Sequence, residues 1–322
     1  MSIGSIQAGR RDSASVRPGL PRALRHALFT SVAVLVVCAI TGTWSRLSYQ
    51  DFSDQLASLT QRTVGQITGG TGSTATISWK TPAGQQLQAT VTLTGTAPAE
   101  GTRTEVAYNP GDPTDAIIPG AHLLADADQA RGGLVFAALV ALLVLAVDAI
   151  WLLRRLRRRP ARTMTVRRIR VQRRLMSRSW LETEPEPGIR QRWLPVYWDP
   201  VLAELPSPVE VTVHGDPRRD RLVTVEATGV LLYPSGRVTA REPVGRRTDS
   251  PSRPDEHARA KARAAGLLRQ LRVDAALVVP APLIGLFWAY LDQGGVPSWF
   301  GATALCATLG LWFAAIRGSD PT

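Results

Sequence analysis

The stretch Arg154–Arg178, RRLRRRPARTMTVRRIRVQRRLMSR, holds twelve arginines in 25 residues and contains no lysine or acidic residue. Its charge of +12 equals the formal net charge of the whole 322-residue chain, so the remaining residues sum to zero. The stretch follows directly on the apolar block Leu134–Leu153. Because basic residues beside an apolar span are typical of the cytoplasmic side of a membrane, we predict an arginine-rich juxtamembrane segment here.

The apolar residues of the chain are concentrated in four blocks of 17 to 20 residues. An α-helix of that length crosses about 30 Å of hydrocarbon. The blocks are Ala27–Trp44, Leu134–Leu153, Ala275–Leu291 and Trp299–Ile316. This pattern predicts an α-helical membrane protein with four transmembrane helices plus small antiparallel β domains, one extracytoplasmic and one cytoplasmic.

The distribution of charge predicts the orientation of the helices. Residues Arg46–Arg131 carry five basic and eight acidic residues, whereas 27 basic residues lie between Arg154 and Arg272. Basic loops stay inside, so we predict a multi-pass protein of the cell inner (plasma) membrane with both termini in the cytoplasm. A cleaved signal peptide is the rival interpretation of Leu28–Ile40, although a helix-like pattern continues beyond it.

Alternating β-branched runs such as Ala75–Lys80 and Val209–His214 predict strands on both sides of the second block. Pro280 and Pro282 are expected to kink the third transmembrane helix. The predicted order is a disordered cytoplasmic tail at 1–21, transmembrane helix 1 at 22–45, an extracytoplasmic helix plus β domain at 46–131, transmembrane helix 2 at 132–153, the arginine-rich juxtamembrane segment at 154–178, a cytoplasmic β module with linkers at 179–254, a juxtamembrane helix at 255–273, transmembrane helices 3 and 4 at 274–291 and 298–316, and a cytoplasmic tail at 317–322.

Four short motifs follow one another in the loop between the first two apolar blocks. They are Val64-Gly-Gln-Ile, Ile77-Ser-Trp, Ala89-Thr-Val-Thr-Leu and Thr104-Glu-Val-Ala-Tyr-Asn-Pro-Gly-Asp-Pro-Thr-Asp-Ala. Residues 22 to 155 thereby resemble bacterial, actinobacterial-type multi-pass membrane proteins that carry a small extracytoplasmic β domain of unknown function. The motif Val-x-Tyr-x-Pro-x-x-Pro of that family is matched by Val106, Tyr108, Pro110 and Pro113. The resemblance implies a small β domain between two membrane helices and implies no catalytic residue.

Asp148 is the only ionisable residue well inside an apolar block. An acid at such a position is costly, so it is a candidate for a proton or ion role. The alternative is a structural tether, since Arg154 and Arg155 lie six and seven residues further along the helix.

Small residues recur every four positions in the fourth block. This spacing lets two helix backbones approach closely, either within the chain or in a homo-oligomer. The residues of this predicted helix-packing stripe are Ala302, Cys306, Gly310 and Ala314.

The arginine run has two further interpretations besides topology. The first is contact with anionic lipid headgroups, and the second is binding to DNA, which the lack of interleaved aromatic residues disfavours. The predicted lipid contacts are Arg154, Arg155, Arg157, Arg158, Arg159, Arg167, Arg168, Arg170, Arg173 and Arg174.

No motif indicates a catalytic, cofactor-binding or metal-binding site. Asn109, Asp112 and Asp115 are too few for calcium and are also good turn residues. We therefore expect a non-enzymatic accessory, scaffold or signal-coupling component of the bacterial envelope, with a transport subunit as the alternative and an envelope enzyme third. The expected partners are an anionic bilayer and envelope proteins or a second copy of the chain, and nucleic acid is not expected.

Overall fold

A computed structural model describes residues 22–155, 160–185, 190–253 and 256–322. Within these ranges the chain forms seven α-helices and two antiparallel β-sheets, so the prediction of helices with two small antiparallel β regions is confirmed. Leu35–Leu143 form one compact unit, and the described residues of Met1–Val34 and Val144–Thr322 form the other. The predicted tail at 1–21 lies outside the described residues.

Among the described residues, three helices are long and apolar enough to cross a membrane by length and composition. They are α1, Arg22–Ser58, α2, His122–Arg155, and a third helix near the C-terminus, Gly295–Arg317. The first helix has 37 residues and continues well past the apolar block, because Phe52 and Leu56 keep a helical spacing.

The chain bends within the predicted third transmembrane helix at 274–291, and the first half of the bent pair begins before it, at Leu267. Leu267–Asp274 forms one α-helix, Ala275–Leu277 a short 3-10 helix, and Ala281–Asp292 a second α-helix, with a bend of 52° between the two halves. Pro280 and Pro282 lie at the start of the second half, where each removes a backbone donor and its ring collides with the preceding turn. The described part of the chain therefore has three candidate spans, or four if the bent pair is counted as one.

The first sheet belongs to the unit Leu35–Leu143. Its strands, in the order β3-β2-β1-β4-β5, are β1 Gln61–Thr71, β2 Thr74–Lys80, β3 Gln86–Thr92, β4 Arg103–Tyr108 and β5 Ala116–Ile117. Its core contains Ile67, Ile77 and Val106, and Trp79 packs on Tyr108 with ring centroids 5.8 Å apart. Val106 and Tyr108 are two residues apart and point to the same buried face, so the first two residues of the motif Val-x-Tyr-x-Pro-x-x-Pro belong to the core.

The second sheet is built from seven strands of the other unit. They are β6 Ala161–Arg173, β7 Met176–Thr183, β8 Trp193–Val196, β9 Val209–His214, β10 Thr224–Ala227, β11 Val230–Leu232 and β12 Arg246–Asp249. The strand order is β11-β10-β9-β6-β7-β8, and β12 pairs with the second half of β6. After β11 the chain returns to β8, where Ser235 N donates to Pro195 O at 2.9 Å. The two ends of the strand order are thus joined by residues 233–239.

Two short helices cover the core of the second sheet. They are α3, Val201–Glu204, and α4, Glu256–Ala264. The helices that follow along the chain are α5, Leu267–Asp274, α6, Ala281–Asp292, and α7, Gly295–Arg317. Leu202 and Ala262 are fully buried, and Arg263 Nε donates to Glu204 Oε1 at 2.7 Å. A single helix was predicted at 255–273, but Gly266 adopts an extended conformation and separates α4 from α5.

The middle of strand β6 is buried on both faces, so much of the predicted arginine-rich juxtamembrane segment at 154–178 belongs to the second sheet. Val166 packs in the main core, whereas Ile169 and Val171 pack with two tryptophans on the opposite face. Because successive residues of a strand point to opposite faces, the apolar residues of β6 contribute to a core on each side of the sheet. The β module therefore begins at residue 161 rather than at 179, and the residues 156–159 lie outside the described part of the chain.

Candidate functional site

The last five residues of the sequence are docked on the second sheet. Gly318 ends α7 at a φ of 74°, a backbone conformation that favours glycine. A Cβ atom at this position would also lie only 2.6 Å from Ser235 Cβ, so the packing excludes a side chain. Asp320 N then donates to Ser177 O at 2.9 Å. The segment predicted as a cytoplasmic tail at 317–322 is thus an integral part of this unit.

Asp320 is the centre of a buried ionic group. Its side chain accepts hydrogen bonds from Ser179 Oγ at 2.6 Å and from the backbone N and Oγ1 of Thr322 at 2.9 and 2.5 Å. Arg168 Nη2 lies 3.6 Å from Asp320 Oδ2, and the two side chains are 10% and 0% exposed. Burial lowers the pKa of Arg168, and the Asp320 carboxylate offsets this only in part.

A second buried carboxylate, Asp274, bonds to Ser319, the residue that precedes Asp320. Asp274 of α5 accepts a hydrogen bond from Ser319 Oγ at 3.1 Å, and His26 Nε2 of α1 lies 3.3 Å from the same Oδ2 atom. In a catalytic triad the histidine stands between the serine and the acid. Here the carboxylate stands between them, so the arrangement holds helices together and does not activate Ser319 as a nucleophile.

Ser319 and Asp320 are consecutive, so the two groups form one continuous polar cluster. We call it the polar junction, and it consists of His26, Arg168, Ser179, Asp274, Ser319 and Asp320. Each of these residues is at most 8% exposed. The polar junction links α1 and α5 to the second sheet through side chains that all sit in a low-dielectric interior.

A neighbouring contact ties two more helices to the same sheet. Trp151 Nε1 of α2 donates to Tyr197 Oη at 2.6 Å, and Tyr197 Oη donates to the carbonyl of Ile316 in α7. Arg178 of β7 donates to Ser235 O at 3.0 Å, and burial, together with the charge of Arg317, lowers its pKa to about 10. These contacts fix the ends of α2 and α7 on the sheet.

The predicted lipid contacts have several different surroundings. Arg157, Arg158 and Arg159 lie outside the described residues, as do the side chains of Arg154 and Arg155. Arg168 is buried in the polar junction, which differs from the predicted contact with headgroups. The remaining predicted contacts are more accessible: Arg167 pairs with Glu184 at 3.2 Å, Arg170 is half-buried, and Arg173 and Arg174 are exposed near the turn after β6.

Asp148 has a structural partner on another helix. Trp312 Nε1 of α7 donates to Asp148 Oδ1 at 3.2 Å. The tether interpretation gains a specific contact, although the partner is an indole and not one of the arginines expected from the sequence. This hydrogen bond joins the C-terminal half of α2 to α7.

The predicted helix-packing stripe makes an internal contact at Gly310. A Cβ atom on Gly310 would lie 3.0 Å from Leu277 O, while Ala314 is fully buried and Ala302 and Cys306 are half-buried. A closer approach occurs at Gly285 of α6, where a Cβ atom would lie 2.2 Å from Thr303 Oγ1. The close contact of α6 with α7 thus depends on a glycine outside the predicted stripe.

The polar loop after β4 is a set of turns. Asn109 Oδ1 accepts from Gly111 N at 2.9 Å, and Asp112 Oδ1 accepts from Thr114 N and Oγ1 at 3.1 and 2.6 Å. The Thr114 hydrogen bonds lower the pKa of Asp112. Asp115 O accepts from Asn109 N. Within the described ranges of the chain, no group of three or more His, Cys, Asp or Glu side chains is arranged to hold a metal ion.

The polar junction was not predicted from the sequence. Asp274 directly precedes the third apolar block and Asp320 follows the fourth, and acids at those two boundaries were the available signal. Comparison with known proteins gave no match to any protein family, curated protein or solved structure. The family resemblance therefore stays a prediction.

Proposed function

We propose that this protein is a multi-pass membrane scaffold that couples an extracytoplasmic β domain to a cytoplasmic β module in the bacterial envelope. The polar junction carries this proposal. It joins α1 to α5 through the close approach of His26 to Asp274, and α5 to the second sheet through buried hydrogen bonds and an ion pair, so a displacement of either helix changes contacts made by the sheet.

The membrane part of the proposal rests on the surfaces of the apolar helices. Large apolar side chains point outward along α2, among them Leu139 at 59%, Leu142 at 62% and Leu143 at 58% exposure. Contiguous apolar surface of this kind is rare on proteins that are in water and suits contact with lipid. The basic residues after α2 and the acidic balance before it support the assignment of the second sheet to the cytoplasm.

Chain continuity supports the coupling role. Helix α1 contributes its first residues to the unit with the second sheet and the rest to the unit with the first sheet, and α2 likewise contributes to both units. Two uninterrupted helices are the simplest route by which an event at one β region reaches the other. The buried acids accept hydrogen bonds from Ser179, Ser319 and Thr322, and this supports a role in holding the protein together.

Membrane sidedness is testable with single cysteines in a chain in which Cys38 and Cys306 are replaced by serine. Glu100→Cys tests the first β region and Val244→Cys the second, and both positions are exposed. Intact cells treated with a membrane-impermeant maleimide are expected to label the first variant alone, and the second only after lysis. Labelling of Val244→Cys in intact cells contradicts the proposed topology.

The coupling role is testable by purification from native membranes in mild detergent. We expect other envelope proteins to copurify with the full chain, and we expect Asp320→Asn to lower their yield while the protein stays in the membrane. A homo-oligomer that takes up a solute, with no copurifying protein, supports the transport alternative and contradicts the scaffold.

A further inference from the structure

A groove opens beside the polar junction on the face of β6 that carries Val166. Residues two apart on a strand share a face, so Arg168 and Arg170 follow Val166 and continue the row beyond the apolar core. Thr248 of β12 is paired with Arg170, and Ser250 N bonds to Arg168 O. The groove has a volume of about 280 Å³, and we call it the basic groove; its polar lining includes Arg168, Arg170, Thr248, Ser250, Lys261 and Thr322.

The charges of the basic groove are not balanced. Three cations, Arg168, Arg170 and Lys261, line it together with one carboxylate, Asp249. That carboxylate is already bound to Arg247, whose Nε lies 2.7 Å from Asp249 Oδ1. Within the described part of the chain, neither Arg170 nor Lys261 has an acidic group within 4.0 Å. The lining therefore carries an excess of positive charge.

Arg168 is the buried element of the site. Its Nε is fully buried and has no hydrogen-bond partner among the described residues. Its Nη2 lies 3.6 Å from Asp320 and 3.4 Å from Thr322 Oγ1, both longer than the usual 2.7–3.2 Å of an N–H···O bond. A buried guanidinium with an incomplete set of hydrogen bonds is costly, and an anion in the groove would place a second counter-charge beside Arg168.

The chemistry of the lining selects the kind of anion. A phosphate group has several oxygens and can accept hydrogen bonds from arginine side chains and hydroxyl groups at the same time. The remainder of the lining is apolar and includes Leu202, Leu205 and Ala262. A volume of about 280 Å³ lies near the lower end of ligand pockets, about 300–1,000 Å³, which suits a phosphate with a small organic part. We infer that the basic groove binds a phosphate monoester carried on a small apolar body.

This inference does not depend on the proposed membrane topology, because it concerns binding to the second β region alone. The same monoester chemistry occurs in a soluble phosphorylated molecule and in the headgroup of phosphatidate. The two sources share the groove contacts and differ in whether the ligand reaches the groove from water or from a bilayer.

The test is isothermal titration of the full chain, purified in mild detergent, with phenyl phosphate. We expect saturable binding that inorganic phosphate competes away, and at least a tenfold loss of affinity in Arg170→Gln and in Lys261→Gln, since each removes a charge-assisted contact. Arg173→Gln is the matched control, because Arg173 lies on the same strand, is exposed and lines no part of the groove.

Two results overturn the inference. One is the absence of saturable binding to phenyl phosphate by the folded wild-type chain, and the other is an equal loss of affinity in Arg173→Gln, which indicates unspecific attraction. Should Arg170→Gln fail to fold, the exposed Lys261 variant decides the matter. In nanodiscs, phosphatidate that blocks phenyl phosphate where phosphatidylcholine does not identifies a lipid source, whereas unchanged binding identifies a soluble one.

Discussion

Replacing Asp320 by asparagine removes the only charge in the polar junction that lies beside Arg168. The substitution keeps the size of the side chain and the Oδ1 acceptor for Thr322, while it removes the charge and replaces Oδ2, the acceptor of Ser179, by an amide group. Arg168 is then left buried without a counter-charge. Breaking a buried ion pair from one side costs about 3–5 kcal/mol in unfolding free energy. The pair is 3.6 Å apart and not a short hydrogen bond, so we expect a loss near 3 kcal/mol.

The assay is thermal unfolding of the full chain in mild detergent, followed by tryptophan fluorescence. Trp180, Trp193 and Trp198 are buried in the second β region and report on its packing. For a unit of about 200 residues, 1 kcal/mol shifts the midpoint by about 2–4 °C, so Asp320→Asn is expected to lower it by roughly 6–12 °C. The matched control is Glu184→Gln, whose exposed pair with Arg167 is worth at most about 1 kcal/mol.

A double substitution separates the pair energy from other effects. Arg168→Met combined with Asp320→Asn removes the uncompensated charge, so we expect the double variant to be more stable than Asp320→Asn alone. A midpoint of Asp320→Asn within 2 °C of wild type refutes the electrostatic argument. So does a double variant whose losses simply add.

Three further predictions concern other contacts. Asp148→Asn is expected to keep the thermal midpoint, because the amide oxygen still accepts from Trp312, whereas Asp148→Leu leaves that donor unsatisfied and loses about 1–3 kcal/mol; equal effects would dismiss the tether. Gly285→Ala is expected to destabilise α6 and α7 by about 1–3 kcal/mol, and Gly42→Ala, where the nearest atom is 3.6 Å away, serves as the tolerated control in the same melting experiment. The hydrogen bond from Arg263 lowers the pKa of Glu204 below its ordinary 4.5, so the ionised carboxylate stabilises the fold above that pH. The difference in unfolding free energy between wild type and Glu204→Gln should therefore vanish as pH falls through the lowered pKa, and a difference that persists in acid contradicts the ion pair.

The strands and the apolar helices were accessible from the sequence because their signals are local. Alternation in Ala75–Lys80 and Val209–His214 predicts the strands that form there, and the prolines at 280 and 282 predict a kink in the third apolar block, where the chain bends by 52°. Such features depend on neighbours within a few residues. The same is true of Asn109 and Asp112, whose turn roles follow from side chains that cap nearby amides.

Strand β6 shows where local reasoning fails. Its arginines dominated the interpretation, yet Val166, Ile169 and Val171 alternate around them and pack on two faces. Whether an arginine is exposed or buried there depends on Asp320, about 150 residues further along the chain, and no spacing rule connects the two. The site was missed for the same reason, since its members come from both ends of the sequence.

The closure of the second sheet has a consequence for self-association. Open sheet edges are templates on which a second polypeptide adds a strand. In the second sheet, residues 233–239 occupy the edge of β8, and β12 exposes the charged side chains of Arg246 and Arg247. In the first sheet, β3 is the longer of the two terminal strands, and its exposed residues, Gln86, Gln88, Thr90 and Thr92, are all uncharged. We therefore expect aggregation of the overproduced protein to begin at β3, and a lysine in place of Gln88 to suppress it.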